Sequence, residues 1–64
     1  MSLTADAVER MDLNILISLL NMKLRNEFSS LDSLAHYYEL DPNRIISRLM
    51  SAGFQFDANL NQIR

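Results

Sequence analysis

Between Asp12 and Glu27 the sequence DLNILISLLNMKLRNE repeats apolar residues at helical spacing. Projected at about 100° per residue, Leu13, Leu16, Ile17, Leu20 and Leu24 form one stripe. Ile15, Leu19 and Met22 lie beside it and widen the apolar arc to roughly 220°, where packing on one neighbouring face requires only ~100°. Asn14, Ser18, Asn21 and Arg25 make up a polar strip. Asp12 suits the N-cap, where its carboxylate accepts from free backbone N–H groups. Lys23 and Arg25 suit the negative end of the helix dipole. This first long helix is expected to end at Asn26 or Glu27.

Past Phe28, Ser29 or Ser30 is placed to cap a second helix of about 31–38, with Leu31, Leu34, Ala35 and Tyr38 on one face. Glu39 and Leu40 form a turn. Asp41-Pro42 is the clearest start signal in the chain: an N-cap aspartate, then proline at the first helical position, where its missing N–H costs nothing. The third helix runs to about Ala52 and buries Ile45, Ile46, Leu49 and Met50, and Gly53 supplies the left-handed residue that closes it. Phe54-Gln55-Phe56-Asp57 then alternates as a short strand, Asp57 to Leu60 carries turn residues, and Asn61 to Ile63 returns as a second strand. A ribbon this short must lie on the helices, with Phe54 and Phe56 as its anchors. Residues 1–11 read as a flexible segment, with nothing to fix a helical turn over 4–10. The expected architecture is mostly α: a single helical domain over 12–64 with three helices, the second and third helix-turn-helix-like, and a small C-terminal β-hairpin.

A chain of 64 residues makes one domain. At this size only about 60% of the unfolded surface is buried, so stability is marginal without help. There is no cysteine and a single histidine, His36, so neither a disulfide nor a structural zinc site supplies that help. Oligomerisation is the remaining common stabiliser, and it matches the excess apolar arc of the first helix. Six basic against eight acidic residues give a net charge of −2, without the basic excess that phosphate binding usually needs. The N-terminus has no basic start leading into an apolar run, so no signal peptide is expected. No apolar run exceeds three residues, so no membrane span is expected, and the cytoplasm is the expected compartment.

Several short pieces of the chain, in order, resemble a family of short uncharacterised bacterial proteins, a domain of unknown function. They are Asn21-Met22-Lys23-Leu24-Arg25, Ser30-Leu31-Asp32-Ser33-Leu34, Tyr38-Glu39-Leu40-Asp41, Ala52-Gly53-Phe54-Gln55-Phe56 and Gln62. Together they span about Asp12 to Arg64. Ile63 stands where the family pattern carries an aromatic. The resemblance implies a cytoplasmic bacterial protein and supplies no activity. Over Leu31 to Phe54 the pattern L-x-x-L-A, a turn, D-P, I-I-x-x-L and a closing G-F is similar to small helix-turn-helix and winged-helix modules, including the N-terminal domain of a translation initiation factor.

Two surfaces are candidates for contact. The outer part of the first helix, Ile15, Leu19 and Met22 with the stem of Lys23 along the edge, is the expected dimer or partner interface. The outer face of the third helix, Asn43, Arg44, Ser47 and Arg48, carries residue types that contact phosphates and base edges. A solvated face with two arginines, one of them paired to Asp41 or Glu39, explains that surface better, given the acidic balance. His36-Tyr37-Tyr38 lacks the basic groove of a base-stacking platform, and Tyr38 is expected against the first helix. His36 has Asp32 four residues before it, a common and usually idle helix pair, and so short a chain can hardly enclose a pocket, so no catalytic residue is assigned and no enzyme is expected. Asn14 and Ser18 are expected to face water, while Asn21 and Arg25 are candidates to bond the Ser29-Ser30 turn or the C-terminal ribbon. Asp57, Asn59 and Asn61 alternate like part of a calcium loop but lack its glycine and terminal glutamate, so turn chemistry explains them and neither metal nor cofactor is assigned. The reading is a homodimeric interaction protein that also admits an unidentified protein partner; a nucleic-acid-binding protein is the disfavoured alternative.

Overall fold

A computed structural model describes residues 3–64. Four helices and one ribbon follow in order: α1 (Ala5–Arg10), α2 (Leu13–Asn26), α3 (Leu31–Tyr37), α4 (Pro42–Ser51), β1 (Phe56–Asp57) and β2 (Gln62–Ile63). The three expected helices are α2, α3 and α4, and their ends lie where the capping residues put them. Asp12 accepts from the Ile15 N–H at 3.2 Å, Ser30 from Ser33 at 3.1 Å, and Asp41 from Asn43 at 2.9 Å. Each bond satisfies one of the N–H groups that a helix start leaves without a partner. Gly53 takes φ +88°, and the Phe54 N–H reaches back to the Leu49 carbonyl at 2.9 Å, which closes α4. α3 ends on the same six-residue closure, Leu40 N–H to Ala35 carbonyl at 2.7 Å, but with Glu39 in the left-handed position at φ +56°.

The core is made by Leu16, Leu20 and Leu24 of α2, Leu31, Leu34 and Ala35 of α3, and Ile45 and Leu49 of α4. β1 and β2 pair antiparallel, with Phe56 opposite Ile63 and Asp57 opposite Gln62. Reciprocal bonds between Gln55 and Arg64, at 3.2 and 3.0 Å, extend the pairing by one residue. The ribbon is anchored chiefly by Ile63, which is 2% exposed, whereas the expected anchors Phe54 and Phe56 are only partly buried against the core. Met50, expected inside, is 64% exposed: it lies at the edge of the arc, while Ile45 and Leu49 take its centre.

Residues 1–11, read as a flexible segment from the sequence, contain a fourth helix. Residues 1 and 2 lie outside the described residues. Thr4 caps α1 by accepting from the Ala7 N–H at 3.1 Å. Leu3, just before the cap, and Val8, at the fourth helical position, are both buried in the core. This is the pairing that fixes the entry of a chain into a helix.

Candidate interaction face and its neighbours

α2 carries one apolar side more than the fold uses. Its inner stripe is buried at Leu16, Leu20 and Leu24, with Leu13 and Ile17 partly buried against the core. On the other side Ile15 is 55% exposed and Met22 49%, with Leu19 half-buried between them. The spacing i, i+4, i+7 puts the three in one row along the helix. Ser18 and Asn14 lie on the exposed side of the same helix.

Lys23 does not belong to that row. It is buried, and its Nζ donates to the Tyr38 hydroxyl at 2.8 Å and lies 3.6 Å from a Glu27 carboxylate oxygen. The ammonium also stands 5.0 Å from the Tyr38 ring centroid, within reach of a cation–π attraction. The hydrogen bond to Tyr38 raises the Lys23 pKa above its ordinary 10.5, against desolvation by burial, and Glu27 adds to the rise. Phe28, Tyr37 and Tyr38 pack around this end with ring centroids 4.9 to 5.9 Å apart. The helical register carried the signal: Lys23 stands seven residues after Leu16 and three after Leu20, on the inner side.

Asn21 joins α2 to the ribbon. Its Nδ2 donates to the Ile63 carbonyl at 3.1 Å, and its Oδ1 accepts from the Ile63 N–H at 2.7 Å. Asn61, held at φ +53°, donates through Nδ2 to the Leu24 and Phe28 carbonyls at 3.0 and 2.9 Å, covering the open end of α2. The Asp57 carboxylate accepts from the Asn59 and Leu60 N–H groups at 3.0 and 3.3 Å, which is turn chemistry. Arg25 lies with Asn21 beside Leu60 and Asn61 at the surface, and no carboxylate lies within ion-pair distance of it among the described residues.

On α4 the four residues of the alternative face part company. Asn43 and Ser47 are exposed. Arg44 pairs with Glu9 of α1, not with Asp41 or Glu39. Arg48 is partly buried, and its guanidinium donates to the Val8 and Met11 carbonyls. Both arginines therefore hold the N-terminal helix. The sequence gives no local sign of these contacts, because they join residues 35 to 40 positions apart. His36 and Tyr37 are exposed, and Tyr38 packs towards α2 as expected.

A family model described as Domain of unknown function (DUF4250) matches residues 10–63. Neither the curated proteins nor the solved structures give a match.

Proposed function

The chain belongs to the DUF4250 family, a domain of unknown function, and on that premise we propose that it is a homodimeric protein-interaction module. Its contact surface is the outer row of α2, Ile15, Leu19 and Met22. The observation that carries this reading is the exposure of Ile15 and Met22, 55% and 49%, on a helix that already packs Leu16, Leu20 and Leu24 into the core. A self-complementary patch of this kind suits a two-fold dimer, in which the same surface is used twice. Burying the row also supplies apolar contact that a domain this small lacks.

The second reading, a winged-helix-like nucleic-acid-binding protein using Asn43, Arg44, Ser47 and Arg48, loses support from the arginines' engagement with α1. It predicts an anisotropy signal that falls steeply with salt; the interaction reading predicts none. We further propose a cytoplasmic bacterial protein without catalytic activity. The absence of cysteine fits a reducing compartment, and no helix among the described residues is long and apolar enough to cross a membrane.

The test is the mass in solution of Met22→Glu and Leu19→Glu beside the parent chain. Either substitution buries an unpaired carboxylate in the contact and dissociates the dimer. Met22 is the cleaner site, because it is half exposed while Leu19 also packs on the core. A substituted chain that stays dimeric refutes this surface.

A further inference from the structure

Given the α2 contact proposed above, we infer that its two helices lie antiparallel, held in register by ion pairs between Asp12 of each copy and Arg25 of the other. Arg25 has nothing to do inside its own chain. Among the described residues Arg10, Lys23, Arg44 and Arg64 each meet a carboxylate and Arg48 meets two carbonyls, whereas Arg25 is exposed with neither hydrogen bond nor ion pair. Asp12, at the opposite end of α2, is exposed as well and accepts only from the Ile15 N–H. Its carboxylate keeps lone pairs for a cation.

Asp12, Ile15, Met22 and Arg25 are spaced symmetrically about a midpoint between Ser18 and Leu19. At 1.5 Å per residue, Ile15 and Met22 stand about 5 Å from that midpoint, and Asp12 and Arg25 about 10 Å. A two-fold axis through it, perpendicular to α2, sets Ile15 beside Met22 of the second copy and Asp12 level with Arg25 of the second copy. A two-fold axis along α2 instead sets Arg25 against Arg25 and Asp12 against Asp12, and like charges repel. Antiparallel packing also opposes the two helix dipoles. Ser18, Asn21, Met22 and Arg25 border a shallow hollow at the i, i+3, i+4, i+7 positions that receive one side chain of a facing helix. In the antiparallel pair the side chain at that level is Ile15 of the second copy. Arg25 and Asp12 flank the row on opposite sides. The inclined crossing usual for packed helices, with the long arginine stem, closes that offset.

The chain has no cysteine, so introduced thiols read the direction without background. Under mild oxidation a mixture of Ile15→Cys and Met22→Cys chains is expected to form mixed disulfide dimers. Ile15→Cys alone is expected not to link, because its two copies stand about 10 Å apart along the helices. Ready linking of Ile15→Cys to itself, or no linking in the mixture, overturns the antiparallel register while the parent still sediments as a dimer; a monomeric parent overturns the α2 contact as well. Asp12→Asn, which keeps a capping side chain, and Arg25→Gln are each expected to raise the dimer Kd about 3-fold, and together no further than either alone. Effects that simply multiply would contradict the ion pair.

Discussion

The carboxamide of Asn21 meets both backbone groups of Ile63, donating to its carbonyl at 3.1 Å and accepting from its N–H at 2.7 Å. Opposite Phe56, Ile63 points these groups away from β1, so Asn21 stands where a third strand would. Replacing Asn21 by Ala leaves a partly buried N–H and carbonyl without partners, at a cost of about 1–3 kcal/mol. Asn21→Asp keeps the acceptor, loses the donor and sets a carboxylate against a carbonyl. Urea unfolding should rank the chains parent, then Ala, with Asp no more stable than Ala; equal midpoints for all three would remove Asn21 as the tie.

Lys23 gives a pH signature. Its pKa is raised above 10.5 in the folded chain, chiefly by the Tyr38 hydroxyl. A raised pKa means that the contribution is whole below 10.5 and fades as pH climbs through the folded value. The stability difference between the parent and Lys23→Met should therefore be flat up to pH 10.5 and shrink above it. Denaturant midpoints of both chains in alkaline buffers check this, and a difference that grows with pH would reverse the sign.

Arg48 holds α1 through two carbonyls. Arg48→Ala should release residues 5–10 while α2 to α4 keep their structure, because the inner core of Leu16, Leu20, Leu34 and Leu49 does not depend on that guanidinium. The loss is about 1–3 kcal/mol per charge-assisted bond removed. Hydrogen exchange reads it locally: α1 amides lose protection and α2 amides keep theirs.

Glu39 sits at φ +56° in the turn that closes α3, a region costly for any residue with a Cβ. Glu39→Gly should stabilise the chain by up to about 1 kcal/mol, net of the entropy glycine adds to the unfolded state. Glu39→Val should destabilise it, since a β-branched residue fits there worst. Thermal unfolding of the two variants gives opposite shifts.

Much of the fold was legible because its signals are local. Asp12, Ser30, Asp41-Pro42 and Gly53 each fix a helix end through bonds within a few residues, and all four do so in the structure. The fourth helix also had a local signal, Leu3 and Val8 around the Thr4 cap, but its six residues are too few to show a helical stripe. What holds that helix was not legible, since Arg44 and Arg48 reach it across 35 to 40 residues. The candidate face was half legible. Ile15 and Met22 are exposed as the wide apolar arc implied, but Leu19 is shared with the core and Lys23 turns inward, because Tyr38 and Glu27 offer its ammonium partners there.

The dimer through α2 is tested most directly by sedimentation equilibrium of the parent chain and Met22→Glu over a wide concentration range, with circular dichroism as the control on folding. The account predicts twice the chain mass for the parent, a single chain mass for Met22→Glu, and the same helical content for both. A parent chain that remains a folded monomer at the highest concentration would contradict it.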